Sequence, residues 1–233
     1  MTNRVDHIVS SYDKELHILD SQIDRMAGLA ESQLDTALKA LAQKDNELAS
    51  SVLISDQQLD DLQTQVEAQA LRVLALRSPV ADDLRRVVTA LKIAGEIERI
   101  GDMAANCAKR ALVLNQTSSL APLHGLLVLG RTVQGRLKAS FDAYRSMEIF
   151  AAQSVRDMDV DVDALYSSLF REILTYMMED PRTITAGSHL LFLAKNLERI
   201  GDHATNIAEE TIFLVTGKTL PADRPKGDTT TSE

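Results

Sequence analysis

The chain has 233 residues, 45% of them apolar but only 4% aromatic and none tryptophan, so any core must be built from Ala, Leu, Ile and Val, as suits closely packed helices. A formal charge of −9 and a pI near 5.1 argue against binding to nucleic acid or an anionic membrane, because phosphate surfaces attract basic ones. The single cysteine excludes an intrachain disulfide and fits a reducing compartment; with neither a signal-peptide apolar core nor an apolar run of about 18 residues, the chain reads as soluble and cytoplasmic.

Apolar positions at Leu16, Ile23, Ala27, Ala30, Leu34, Ala37 and Leu41 recur in steps of seven, four and three, which predicts a helix over 13–43 with a coiled-coil-like seam. A second series runs through Leu48, Val52, Leu59, Leu62, Val66, Val73 and Leu76, with Asp45 as its N-cap. Pro79 ends that helix and opens a third over 82–114. A fourth is expected over 120–152, where Gly125, Gly130 and Gly135 point to close helix contacts. A fifth covers 158–178, Pro181 punctuates, and a sixth covers 183–215 with Gly217 as C-cap. The remainder, 218–233, is polar, rich in Pro and Gly, and predicted to be disordered. No segment reads as a strand.

The third and sixth predicted helices share the pentapeptide ERIGD, at 98–102 and 198–202, each followed by an alanine and an asparagine at matching positions, Ala104/Asn106 and Ala204/Asn206. The chain is therefore a duplication. The expected architecture is all-α: two tandem three-helix bundles of spectrin-like character, 1–115 and 116–217, followed by the tail at 218–233.

Each motif sets a glutamate and an aspartate one helical turn apart, so Glu98/Asp102 and Glu198/Asp202 stack as carboxylate pairs. Stacked like charges destabilise a helix by a few tenths of a kcal/mol, so two such pairs call for a cation. At about 100° per residue, Ile93, Ile97, Ile100, Ala104 and Ala111 form one narrow stripe, and Glu98, Asp102 and Asn106 lie on the opposite side. The second copy repeats this with Leu193, Leu197, Ile200, Ala204 and Thr211 opposite Glu198, Asp202 and Asn206. Glu209 joins the second acidic face, whereas Lys109 stands in its place in the first, so the two sites are not equivalent. The preceding helix of each half adds Asp56 and Asp60, or Asp159 and Asp163. Carboxylates and amide oxygens are hard donors, suited to Mg, Ca or Mn, with carboxylate-bridged iron or zinc as a further option. A solvated acidic face paired with nearby Arg or Lys is the competing reading.

Other candidates fail on spacing. The run DMDVDVD at 157–163 opens like an EF-hand loop, but Val162 stands where the turn glycine belongs and Ser168 where the bidentate glutamate belongs. His203 neighbours Asp202 and is read as packing or surface; His7, His17, His124 and His189 lack ligand spacing. Cys107 lies on the apolar side and reads as a core thiol. Neither a phosphate-cradling glycine loop nor a nucleophile–base pair is present.

Two three-helix repeats with ERIGD on each third helix, within SPVADDLRRVVTALKIAGEIERIGDMAANCA and MMEDPRTITAGSHLLFLAKNLERIGDHATNIAE, resemble the PhoU family of phosphate-uptake regulators over roughly residues 10–217. The resemblance implies paired three-helix bundles with internal pseudo-twofold symmetry, often dimeric. It also implies multinuclear iron or zinc at Glu98, Asp102, Glu198 and Asp202, with Asn106, Asn206, Glu209, Asp60 and Asp163 as further ligands. By the same likeness the chain is a cytoplasmic accessory protein rather than an enzyme. It would repress the phosphate-starvation response by linking the ATPase of the phosphate-specific ABC transporter to a sensor histidine kinase, reaching the membrane only through those partners.

Two other readings compete. A ferritin-like di-metal carboxylate enzyme would use Glu-x-x-His, yet the residues three before the five histidines are Arg4, Lys14, Ala121, Ala186 and Ile200. A purely structural scaffold would leave its acidic faces solvated.

Overall fold

The computed structural model describes residues 3–117 and 120–220, with side chains from Tyr12 onward. Most of the tail predicted as disordered, from 221, lies outside the described residues, as does the side chain of His7. Among the described residues seven helices follow in order: α1 (Asn3–Gln43), α2 (Asn46–Arg77), α3 (Ala81–Leu114), α4 (Leu123–Ser146), α5 (Ile149–Asp157), α6 (Asp159–Glu179) and α7 (Ile184–Thr216), with a 3-10 turn at Pro181–Thr183 before the last. The described residues form no strand.

Helices α1, α2 and α3 pack as one bundle, and α4, α5/α6 and α7 as another. Capping residues act as their chemistry dictates. The Asp45 carboxylate accepts hydrogen bonds from the backbone N–H groups of Glu47 and Leu48 at 2.8 and 3.0 Å, closing the start of α2. Gly217 takes the left-handed conformation (φ 69°) and returns its N–H to Phe213 O at 2.8 Å, ending α7.

The fourth and fifth predicted helices are divided differently from the expectation of 120–152 and 158–178. The chain turns at Met147 (φ 55°), so α4 stops at Ser146 and the next segment begins at Ile149. No Gly or Pro marks this turn; a methionine adopts the left-handed conformation, as Lys44 does (φ 54°) at the matching α1–α2 junction. The partner of the continuous α2 is therefore a broken pair, α5 and α6, interrupted at Met158.

The two motif helices bind the halves together. Lys92 pairs with Glu210 at 2.9 Å, Glu96 with His203 at 2.6 Å, and Arg110 with His189 at 3.2 Å, so α3 and α7 run antiparallel with the two ERIGD segments near the middle of their contact. Both predicted apolar stripes are buried, from Ile93 to Ala111 and from Leu193 to Thr211. They belong to one contiguous core that draws side chains from both repeats. Of the three α4 glycines expected at close contacts, a Cβ on Gly130 would meet Leu38 of α1 at 2.7 Å and one on Gly125 would meet Leu169 at 3.1 Å, whereas Gly135 faces open space. No helix among the described residues is long and apolar enough to cross a membrane.

Candidate functional site: two unequal acidic grooves

With the apolar stripes of α3 and α7 spent on the core, the buried glycine beside each acidic face lies against its own bundle's second helix, α2 or α6. The glycine of each ERIGD makes that approach possible. A Cβ on Gly101 would sit 2.1 Å from Leu59 Cδ2 of α2, and one on Gly201 would sit 3.3 Å from Val162 Cγ1 of α6. The recurring glycine therefore serves helix packing, and the packing brings acidic residues of neighbouring helices together.

In the first groove, Asp56 and Asp60 of α2 face Glu98 and Asp102 of α3. Burial pushes the Glu98 carboxyl above its ordinary value, and Asp102, Asp60 and Asp56 push it further. Asp56 rises likewise, first through burial and then through Asp102 and Asp60. Arg99 opposes the rise at Glu98 and Lys109 the rise at Asp56; among the described residues none of the four carboxylates makes an ion pair. Lys109 instead reaches Asn106 Oδ1 at 3.5 Å. At the inner edge of the groove stands Gln33 of α1, only 2% exposed. Its amide nitrogen donates to Ser55 Oγ at 3.2 Å, while its Oε1 lies beside Gly101 and has no hydrogen-bond partner.

The second groove has the same acids and a different charge balance. Asp159 and Asp163 of α6 are buried, as is Glu198 of α7. Where the first bundle has Gln33, the second has Arg136 of α4, with its side chain 3% exposed. Its Nη2 lies 2.7 Å from Asp159 Oδ1 and also donates to Thr205 Oγ1, while Nη1 donates to the Met158 carbonyl at 3.2 Å. That last bond holds the carbonyl at the α5/α6 break. Lys195 Nζ lies 2.8 Å from Glu198 Oε2. Burial still pushes the Glu198 carboxyl up, with Lys195 opposing and Asp202 and Asp163 reinforcing the rise.

Two predicted ligands point elsewhere. Glu209 forms an ion pair with Arg156 of α5 at 3.1 Å. Asn206 donates its Nδ2 to Glu96 Oε2 of α3 at 2.7 Å, joining His203 on that carboxylate. Burial pushes Glu96 up, but these two hydrogen bonds outweigh it and hold the carboxyl below the usual glutamate range. His203 and Asn206 thus clasp the two repeats together. Asp202 is half-buried and Asp102 exposed on their respective rims. Cys107 is buried in the core, its thiol pushed up to about 12.

Among the described residues, no three His, Cys, Asp or Glu side chains stand close enough to hold one ion. The first groove nonetheless has the chemistry of a cation site: hard oxygen donors, mutual repulsion between carboxylates, and a buried amide oxygen without a partner. The second groove does not fit to the same degree, since two of its four matching acids are already paired with cations of the chain. Sequence reasoning missed Arg136. Its signal was its position on the buried seam of Leu129, Val133 and Ser140, where an arginine demands a buried partner.

A duplicated three-helix bundle with an acidic groove in each copy defines a class of proteins rather than one activity. The family model for the PhoU domain matches this chain twice, at residues 23–111 and 126–211. The chain is 50% identical over 224 residues to the phosphate-specific transport system accessory protein PhoU homolog of Caulobacter vibrioides, covering 96% of this chain and 97% of that one. It is 44% identical to the corresponding protein of Rhizobium meliloti, covering 97% and 96%. Among solved structures, PhoU from Pseudomonas aeruginosa superposes with a TM-score of 0.87 at 37% identity, over 89% of this chain and all of that one. The phosphate transport system regulatory protein PhoU from Streptococcus pneumoniae gives 0.82 at 31%, over 90% and 99%. The chain belongs to the PhoU family.

Proposed function

We propose that this chain is a cytoplasmic, non-enzymatic negative regulator of phosphate uptake. It acts as an adaptor between the ATPase of a phosphate-specific ABC transporter and a sensor histidine kinase. The observation that supports this reading most is full-length similarity, in both repeats, to relatives named as accessory proteins of the phosphate-specific transport system.

In the same reading a divalent or multinuclear metal, iron, zinc, manganese or magnesium, is held by Glu98 and Asp102 with Asp56 and Asp60 beside them. Its chemistry there would be electrostatic, neutralising carboxylates that α2 and α3 force together. Deleting the gene should raise phosphate-responsive transcription while phosphate is ample, and the tagged chain should recover the transporter ATPase and the kinase. Unchanged transcription together with recovery of neither partner would remove the adaptor reading.

A further inference from the structure

The duplication supplies an internal control for which surface residues the fold needs. Gly101 lies against Leu59 and Gly201 against Val162, which sets α6 in register with α2 as α7 is with α3. In that register Tyr166 and Phe170 of α6 correspond to Gln63 and Glu67 of α2, and Phe192 of α7 to Lys92 of α3. The first repeat folds with polar residues there; the second carries aromatics. Together with Ser188, Leu191 and Lys195 they line a groove of about 340 Å³ between α6 and α7. Tyr166 and Phe170 lean on the core, but Phe192 lies outside it and is 56% exposed.

The charge around this groove is as unusual as its lining. Residues 103–141 and 183–197 contain no Asp or Glu, in a chain that has 34 of them. The antiparallel α3 and α7 bring these two stretches together where Arg110 donates to His189 Nδ1 at 3.2 Å. Arg110 also lies 4.6 Å from the centre of the Phe192 ring, and Lys195 lies 5.2 Å from that of Tyr166. Among the described residues no carboxylate pairs with Arg110. Burial and Arg110 itself push His189 below the usual histidine range, so the ring offers no counter-charge. The acids closest in sequence are engaged elsewhere. Glu198 is buried and held by Lys195 at 2.8 Å, and Glu172 Oε2 is directed at α4, 3.7 Å from where a Cβ on Gly125 would stand.

We infer that the α6/α7 groove is a docking site for an acidic amphipathic segment of another protein, one that presents Leu, Phe or Met flanked by Asp or Glu. Its apolar side chain enters between Tyr166 and Phe192 and removes exposed ring surface from water, while its carboxylate reaches Arg110. Aromatic rings and an arginine at the centre of a patch are the usual anchors of such contacts. Charge complementarity selects an acidic partner here, although the chain as a whole, at −9, repels one. The inference deepens the adaptor reading by naming the surface for one partner, and rests on it only for that partner's existence.

The test replaces Phe192 of the full chain with benzoylphenylalanine, irradiates living cells and sequences the cross-linked segment by mass spectrometry. The same group at Ile54, an exposed site on α2, is the control. Position 192 alone should capture a segment of another protein in which Asp or Glu flanks a large apolar residue. A synthetic peptide of that segment should bind the full chain in fluorescence anisotropy. Phe192→Ser and Arg110→Glu should each weaken it at least tenfold, and a lysine in place of the peptide's acid should restore affinity for Arg110→Glu. Should Arg110→Glu fail to fold, Phe192→Ser at its exposed site still decides. Cross-links to a second copy, to residues 221–233, to a basic or uncharged segment, or none above the control, would overturn the groove. A deletion phenotype without a cross-link would leave the adaptor reading intact. An acidic segment captured from a protein that is neither transporter ATPase nor kinase would keep the groove and count against the adaptor.

Discussion

The first and second grooves carry the same pentapeptide on the same kind of helix, yet one confines uncompensated carboxylates and the other confines carboxylates already matched by cations. Identical motifs do not make identical sites; what lies across the groove decides. In the first bundle the residue facing the motif from the first helix is a glutamine with a spare oxygen. In the second it is an arginine whose guanidinium bridges Asp159, Thr205 and the backbone at a helix break.

The sharpest way to break this comparison is to remove the arginine. Arg136→Met leaves Asp159 buried without its counter-ion and should cost about 3–5 kcal/mol in urea unfolding. Pairing it with Asp159→Leu should recover most of that loss, since a buried ion pair replaced by well-packed apolar groups is commonly near neutral. In the first groove, Asp56→Leu alone should be neutral or stabilising, because Asp56 has no ion pair to lose. Equal costs for Arg136→Met and Asp56→Leu would show that the grooves are energetically alike.

A second cut separates what joins the halves from what distinguishes them. Glu96→Gln should weaken the clasp from His203 and Asn206 by about 1.5–3 kcal/mol, the usual contribution of hydrogen bonds to a charged group. His203→Ala in the same background should then cost little more. Full additivity in that double-mutant cycle would mean that the two residues do not act through one another.

The shared glycine sharpens the contrast further. Gly101→Ala drives a methyl into Leu59 and should destabilise by about 1–3 kcal/mol through overpacking, less up to ~1 kcal/mol gained in helix propensity. Gly201→Ala places its methyl a tight 3.3 Å from Val162 Cγ1, which must give by a few tenths of an ångström, so it should cost less than Gly101→Ala. Thermal melts of the two single variants suffice.

Much of this was legible in sequence because it is local and periodic. The all-α class, the duplication, the Asp45 cap, the Gly217 stop and both buried stripes follow from spacing within one helix. What escaped depends on contacts between helices far apart in the chain. The turn at Met147 uses a residue with no turn preference, and only its alignment with Lys44 could have flagged it. Asn206 sits on the acidic face by angle, yet its amide reaches across to α3, because the antiparallel α3/α7 contact places Glu96 beside it. Arg136 shows its buried position by its seam, but its partners Asp159 and Thr205 are brought to it only by folding.

The smallest expected effect concerns pH, and its sign follows from the first groove. The folded pKa values of Glu98 and Asp56 lie above the ordinary 4.5 and 3.8, so the native chain holds more protons on these groups than the unfolded chain in that interval. Their ionised forms therefore cost stability at neutral pH, and the cost fades as pH falls through the raised values toward the ordinary ones. Glu98→Gln should stabilise the metal-free chain at pH 7 by a few tenths of a kcal/mol, a modest figure because the site is partly solvated. The advantage should shrink as pH drops toward 4.5, and should reverse when Mn2+ is present, because the variant then lacks a ligand. An advantage that persists unchanged at low pH would mean that burial and the neighbouring carboxylates do not raise the Glu98 carboxyl, and the first groove would lose its claim to an uncompensated charge.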